Sequence, residues 1–373
     1  MPRFWLDRIM TGALLKHVRE HFRTMEGYVS AGMEMTKDDT KIFLNANENP
    51  FELPGLEGLN RYPEPQPAAL LEAFAKTYGV ESDQIVITRG ADEAIAILIR
   101  VFCEPHKDSV ILNPPTFGIY GVDSRAQPAN VIEVPLLKTQ GTYLLDADGI
   151  IKAAKNPKNG VKLVFLCSPN NPTGTSFSHE TISEICEALE GHAVVVLDET
   201  YAEFAEVGSM TADLETTPNL IILRTLSKSY AFAGMRIGCM IAADTDFISL
   251  VRAKALETYP LTRLSVEAAF HVLSPQIREI AHQNIKKLLD ERDRMQAALE
   301  KSDQVITIYP SDANFLLVEM KDAHGFYEYA KTHNVILRDF SAKPGTENCI
   351  RLSIGTPDEN DTVLKLLQDF SKT

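Results

Sequence analysis

The chain has 373 residues, of which 45% are hydrophobic and 24% charged, with a formal net charge of −14. This length suits two packed domains, and this composition excludes extensive disorder. The negative charge argues against a nucleic-acid partner, although a few local arginines suffice for a small anion. The N-terminal residues lack the apolar stretch of a signal peptide, and no apolar run reaches the length of a membrane span.

The five cysteines are spaced without a C-x-x-C pair, and most have apolar neighbours. Cys167 follows Val-Phe-Leu, and Cys239 precedes Met. This pattern predicts buried thiols in a reducing compartment and favours neither disulfides nor a zinc site. We therefore expect a cytoplasmic protein without a bound metal.

The predicted elements begin with an N-terminal arm over residues 1–44, with one short helix near 13–23. A large domain is predicted for 45–259, with helices at 92–102 and 179–189. Between the helices lie short, uniformly apolar runs, at 109–112, 161–167, 193–197 and 220–223. Because strands covered on both faces have this pattern, the sequence predicts an α/β fold with a mostly parallel sheet between helices.

A smaller C-terminal α+β domain is predicted for residues 260–373. It opens with a charge-rich helix at 279–301, in which apolar residues recur at helical spacing. Strand candidates then follow at 315–318, 335–338 and 350–354, and a last helix at 359–370. Strands and helices in this order are typical of a separate α+β unit.

Four predicted strands end in polar groups, where open α/β sheets bind their ligands. The first such group is Arg89-Gly90-Ala91-Asp92-Glu93. The helix that starts there offers unpaired N–H groups and the positive end of its dipole, which suit a phosphate. Taken alone, however, this string is more typical of an ordinary helix capped by its aspartate.

The second group is the run Ser-Pro-Asn-Asn-Pro-Thr-Gly at 168–174, which follows the strand candidate ending at Cys167. Its prolines and glycine predict an irregular loop, from which Asn170 can donate a hydrogen bond to a ligand oxygen. A plain turn uses the same residue types, but the full string is longer than a turn requires.

The third group is Asp198-Glu199-Thr200-Tyr201, at the end of a buried strand candidate. A carboxylate there is costly unless it meets a cation or hydrogen-bond donors, and a protonated pyridine nitrogen is such a cation. Tyr201 can place its hydroxyl near the same ring. Helix capping by Asp198 explains the string equally well.

The fourth group contains Lys228, which follows an apolar strand candidate and precedes small residues. Most lysines lie on the surface, but a desolvated lysine has a lowered pKa and can attack a carbonyl. Ser227 and Arg236 flank it with a hydroxyl and a forked cation suited to phosphate. A lysine nucleophile, a ring-nitrogen partner and a phosphate site together indicate pyridoxal 5′-phosphate as the cofactor.

The strings at 168–174, 198–201 and 227–238 resemble those of fold-type I, class II aminotransferases. Within that class the chain is similar to the histidinol-phosphate aminotransferases from about Tyr28 onward. The strings that carry this closer resemblance lie at 44–50, 61–63, 89–93, 114–120, 336–339 and 350–356.

The resemblance implies a role for each residue around the cofactor. Lys228 forms the Schiff base and shuttles the proton, and Asp198 pairs with the pyridine nitrogen. Asn170 and Tyr201 contact the ring hydroxyl, and Phe117 stacks on the ring in place of the tyrosine of many relatives. The phosphate is held by Ala91, Asp92, Ser227, Arg236 and Tyr62 of the partner subunit.

The resemblance also implies L-histidinol phosphate as amino donor, 2-oxoglutarate as acceptor and a homodimer with shared active sites. Arg351 and Arg338 are the candidates that bind the anionic substrate groups, joined by Tyr28 and Asn47. A surface ion pair with Asp339 is the alternative for Arg338. Two arginines on neighbouring strand candidates favour a substrate with more charge than one carboxylate.

Three other functions remain open from the sequence. The chain can be an aminotransferase for aromatic or other amino acids, or a decarboxylase of a phosphorylated amino acid on the same fold. It can also be a non-catalytic regulator, but neither its short N-terminal segment nor its negative charge supports a nucleic-acid-binding arm.

Overall fold

The computed structural model describes residues 12–28, 42–139 and 141–372. A seven-stranded sheet lies at its centre, and a hairpin stands beside it. The strands are β1 (Ile85–Thr88), β2 (Ser109–Leu112), β3 (Asn130–Glu133), β4 (Leu137–Thr139), β5 (Thr142–Leu144), β6 (Val161–Cys167), β7 (Val194–Asp198), β8 (Leu220–Thr225) and β9 (Gly238–Ile241). The sheet has the order β1-β9-β8-β7-β6-β2-β3, and β4 pairs with β5. Only β9 runs against its neighbours β1 and β8, so the predicted mostly parallel sheet is confirmed.

Helices cover both faces of this sheet. They are α1 (Glu20–Thr24), α2 (Ala68–Tyr78), α3 (Gly90–Phe102), α4 (Ile119–Ala126), α5 (Ala147–Lys155), α6 (His179–Leu189) and α7 (Thr245–Leu250). Along β1, Val86 packs into one apolar core, and Ile85 and Ile87 pack into the other. Because both faces are buried, the strands are uniformly apolar, as the sequence indicated.

The helix predicted near 13–23 is interrupted. A 3-10 turn at Leu15–His17 and α1 are separated by extended backbone at Val18 and Arg19. The Arg19 N–H donates to the Val101 carbonyl, and its guanidinium lies 2.7 Å from Glu104. These tertiary contacts replace the helical hydrogen bonds and fix the segment against α3.

A second sheet forms from the C-terminal part of the chain. Its strands are β10 (Val305–Ile308), β11 (Phe315–Met320), β12 (Arg338–Asp339) and β13 (Cys349–Ser353), in the antiparallel order β10-β11-β13-β12. The helices that follow α7 are α8 (Arg263–Val272), α9 (Pro275–Leu299), α10 (Ala323–Thr332) and α11 (Pro357–Phe370). This sheet has an apolar core of its own, which includes Met295, Phe326 and Ile350. The domain boundaries at 45 and 260 stay predictions.

The strand predicted at 335–338 is largely wrong. Ladder pairing is confined to Arg338 and Asp339, and the preceding Ile336 is 72% exposed. The apolar run Val335–Leu337 therefore has the composition of a strand, although it forms no ladder and is only partly buried. All five cysteines are buried and free, as predicted. Throughout the described ranges, no helix combines the length and apolar character that a membrane crossing requires.

Candidate active site

A cavity of about 950 Å³ opens where β6, β7 and β8 end, and the second sheet closes its other side. Cys167, Asp198 and Thr225, the last residues of these strands, all line it. From the second sheet, Arg338 and Arg351 face the same space. The cavity therefore lies at the carboxyl ends of parallel strands, where α/β sheets bind ligands.

An anion cradle forms at one end of the cavity. Gly90, at the start of the 13-residue α3, has a φ of +75°, and a Cβ there would lie 2.8 Å from an Arg236 nitrogen. Arg236 pairs with Asp92 at 3.0 Å and donates to the Ser227 hydroxyl at 3.4 Å. Ala91 and Asp92 present the first turn of α3 to the cavity. Helix N–H groups, a hydroxyl and a forked cation thus converge, as a phosphate requires.

Asp198 lies at the floor of the cavity and is 2% exposed. Burial raises the pKa of its carboxyl, while hydrogen bonds to Thr200 and Tyr120 oppose that rise. Oδ1 accepts from the Thr200 N–H at 3.0 Å and hydroxyl at 2.6 Å, and Oδ2 accepts from the Tyr120 hydroxyl at 2.6 Å. A buried carboxylate in this position is suited to a protonated ring nitrogen.

Lys228 projects into the cavity, with Nζ 5.9 Å from the centre of the Tyr201 ring. Partial withdrawal from water lowers the pKa of the Lys228 amine, and the positive charges of Arg351 and Arg236 lower it further. Asp92 and Asp198 act in the opposite direction. The net shift favours the neutral amine, which is the nucleophilic form.

Arg351 occupies the opposite wall and is held by several contacts. Its guanidinium lies over Phe315 at 5.2 Å and Phe340 at 5.7 Å, and it donates to Oδ1 of Asn171. Its buried Nε has no hydrogen-bond partner among the described residues. A forked cation with most of its five N–H donors still free of described partners is prepared for an anionic ligand.

Arg338 is directly opposite Arg351 in the β12–β13 ladder. The predicted alternative, an ion pair between Arg338 and Asp339, does not form. Asp339 instead lies 2.9 Å from His324 Nδ1 and accepts a hydrogen bond from the Ser341 N–H. Two adjacent cations therefore line the cavity without a carboxylate partner in the part of the chain that the structure describes.

Comparison with known proteins agrees with this geometry. The family model described as aminotransferase class I and II matches residues 40–367. The chain is 39% identical to a histidinol-phosphate aminotransferase of Xylella fastidiosa over 363 residues, which cover 96% of this chain and 98% of that protein. It is 40% identical to a histidinol-phosphate aminotransferase of Stenotrophomonas maltophilia, over 95% and 96% of the two chains.

The chain belongs to the class I and II aminotransferase family. Its fold is also that of the histidinol-phosphate aminotransferase from Sinorhizobium meliloti, solved in complex with pyridoxal-5′-phosphate. The TM-score is 0.74 at 23% identity, with 84% of each chain covered. Aminotransferases of this family depend on pyridoxal phosphate.

The cavity of this aminotransferase fits that cofactor in three separate features. A Cβ at Gly90 would press on the Arg236 guanidinium of the cradle, the buried carboxylate of Asp198 lacks a cationic partner among the described residues, and the pKa of the Lys228 amine is lowered. Phe117 lines the cavity between these groups, with its ring edge-to-face against Tyr120 at 5.6 Å.

One predicted site residue, Asn170, lies outside the lining of the cavity. Asn170 does not line the cavity, because its amide donates to the Thr173 hydroxyl in its own loop and to the Pro115 carbonyl in the loop after β2, both at 2.9 Å. Asn171 lines the cavity instead, with its amide nitrogen 3.5 Å from the Tyr201 hydroxyl. Asn171, and not the predicted Asn170, is therefore the asparagine whose side chain faces the cavity.

Three further predicted residues do not reach the cavity of their own chain. Tyr62 is 47% exposed and stacks on Tyr259 at 4.1 Å, while Tyr28 is 72% exposed and Asn47 is also exposed. Their assignment to a shared site stays a prediction. Sequence reasoning gave no role to Tyr120, which it named only as the last residue of the string at 114–120.

Proposed function

We propose that this aminotransferase binds pyridoxal 5′-phosphate and transfers the amino group of L-histidinol phosphate to 2-oxoglutarate. The products are imidazole-acetol phosphate and L-glutamate, and the reaction belongs to histidine biosynthesis. The relatives at 39% and 40% identity carry the corresponding name. When bound, the cofactor supplies an electron sink for the negative charge that develops at the substrate's α-carbon.

The observation that carries the substrate assignment is the pairing of Arg338 with Arg351. Like charges directly opposite each other destabilise a sheet, unless a negative group lies between them. A phosphate dianion or a second carboxylate is such a group, and each guanidinium can bind it with two donors. An amino donor with a single carboxylate needs only Arg351.

The remaining side chains have distinct tasks in this proposal. Ala91, Asp92, Ser227 and Arg236 hold the cofactor's phosphate, and the ring of Phe117 covers one face of its pyridine. Asn171 and Tyr201 contact its ring hydroxyl.

Asp198 holds the ring nitrogen protonated, which keeps the electron sink effective. The amine of Lys228 would act as the general base that takes the proton from the substrate's α-carbon. Burial and the charge of Arg351 lower the pKa of this amine, which increases the share of the neutral form that can accept a proton.

We further propose a homodimer in the cytoplasm, with Tyr62 and Tyr28 completing the partner's site. Large apolar side chains are exposed along the segment before Tyr62, at Ile42, Leu44, Phe51, Leu53 and Leu56. A surface of this kind supports burial against a second copy. The buried free thiols support a reducing compartment.

A substrate panel tests the function. Purified enzyme with pyridoxal phosphate and 2-oxoglutarate is given L-histidinol phosphate, L-histidinol, an aromatic amino acid or a phosphorylated amino acid, and glutamate and carbon dioxide are measured. We expect the highest kcat/KM and stoichiometric glutamate with L-histidinol phosphate. Preference for another donor would reject the substrate assignment, and release of carbon dioxide without glutamate would assign a decarboxylase.

A further inference from the structure

Tyr120 is a buried phenol beneath the active site. It is 0% exposed, and its hydroxyl donates to Asp198 Oδ2 at 2.6 Å across 78 residues of chain. Its ring stacks on Phe165 at 5.0 Å and an interplanar angle of 13°, and meets Phe117 edge-on. One side chain therefore contacts both the carboxylate at the floor and the aromatic residue of the cavity wall.

The two oxygens of Asp198 are fixed independently of each other. Thr200 holds Oδ1 through two hydrogen bonds, and Tyr120 alone among the described residues holds Oδ2. Without the phenol, the carboxylate can rotate about its bond to Cβ, and its buried Oδ2 loses its one protein donor among the described residues. A buried carboxylate that loses a donor takes up a proton more readily, and a neutral acid is a weak partner for a pyridinium.

We propose that Tyr120 is a positioning residue, which keeps the Asp198 carboxylate charged and oriented toward the protonated nitrogen of the cofactor ring. This inference rests on the proposed role of Asp198. It assigns to Tyr120 no contact with the substrate. Because Tyr120 also touches Phe117, one residue sets the position of the ring-nitrogen partner and of the stacking side chain.

The test compares two ligands of the apoenzyme. Pyridoxal 5′-phosphate has the ring nitrogen, and its 1-deaza analogue has a carbon in that position. The ratio of their dissociation constants therefore measures the contribution of the ring nitrogen. We expect Tyr120→Phe, which keeps the ring packing, to reduce this preference for the natural cofactor about tenfold, as for one lost hydrogen bond to a charged group.

Tyr309→Phe is the matched control. Tyr309 is 1% exposed and also donates to a carboxylate at 2.6 Å, that of Glu319, but it does not line the cavity. We expect this variant to keep the wild-type ratio. Adding Tyr120→Phe to Asp198→Asn should have no further effect on the ratio, because the phenol acts through that carboxylate.

The outcomes distinguish the proposed role of Asp198 from the proposed role of Tyr120. A wild type that binds both ligands equally would reject the role of Asp198 itself. A wild type with a clear preference, retained or increased in Tyr120→Phe, would overturn the role of Tyr120 alone.

Tyr120→Met provides a second variant without a hydroxyl. Thermal unfolding of the apo-variants verifies that they fold. If both Tyr120 variants fail to fold while Tyr309→Phe folds, the hydroxyl serves stability and the proposal is overturned.

Discussion

Asn171 joins the two sides of the cavity, because its side-chain oxygen accepts a hydrogen bond from Arg351 while its amide nitrogen faces the Tyr201 hydroxyl. The first contact links the loop after β6 to the second sheet. The second directs the amide toward the position proposed for the cofactor's ring hydroxyl. Asn171 thereby connects Arg351, the arginine proposed to bind the substrate, to the wall proposed to bind the cofactor.

Replacing each asparagine separately tests this arrangement. We expect Asn171→Ala to reduce kcat/KM and to shift the visible absorption of the bound cofactor, with a small change in Tm. Asn170→Ala should instead lower the free energy of unfolding by about 1–3 kcal/mol, because it leaves buried loop groups without partners. The reverse pattern, a catalytic defect confined to Asn170→Ala, would restore the assignment made from sequence.

The contrast between these neighbours shows what the sequence could predict. The strand bounds predicted for β2 and β6 are correct, because a short, uniformly apolar run is typical of a strand buried on both faces. The position of Lys228 after β8 followed from the same pattern. Which of the two adjacent asparagines faces a ligand depends on the backbone conformation of their loop. A pattern of residue types does not specify the conformation of a loop with several prolines. The contact of Tyr120 with Asp198 depends on how β2 and β7 are placed in the sheet, which no local pattern specifies.

Arg338→Ala tests whether Arg338 binds the phosphate of the substrate. We expect it to lower kcat/KM for L-histidinol phosphate by on the order of 2 kcal/mol more than for L-histidinol, about thirtyfold. Arg338→Lys should recover only part of this loss, since an ammonium lacks the forked geometry. Lys331→Ala, which removes an exposed cation paired with Glu328 on α10, is the control. If the ratio of the kcat/KM values for the two amino donors is unchanged in Arg338→Ala, Arg338 does not bind the substrate phosphate.

Asp198→Asn tests whether the charge of Asp198 keeps the cofactor's ring nitrogen protonated. The amide is similar in size but carries no charge to hold the ring nitrogen protonated. We expect the variant to retain cofactor while kcat falls about a hundredfold or more, as for other preorganised electrostatic contacts. Cofactor content is measured by absorption and kcat under saturating substrate. Turnover near that of the wild type would contradict the role of Asp198.

Mixed dimers test the shared site. If Tyr62 of one subunit completes the site of the other, Tyr62→Phe and Lys228→Ala chains regain part of the activity when they are mixed and allowed to exchange. One site in each mixed dimer then has both residues intact. The experiment requires that each variant alone is severely impaired. Sedimentation provides an independent check, and a fully active monomer would rule out the homodimer.

Borohydride reduction followed by peptide mapping tests most directly whether Lys228 forms the covalent link to pyridoxal phosphate. Lys138 and Lys343 also line the cavity, so a cofactor in the cavity could reach lysines other than Lys228. Burial and Arg351 lower the pKa of Lys228, whereas the pKa of Lys138 is raised by Tyr143 and Glu319 despite partial desolvation. We expect the reduced cofactor on the peptide that contains Lys228, and no label on it in Lys228→Ala. A stoichiometric label on Lys138, Lys343 or any other lysine of the wild-type enzyme would contradict the account.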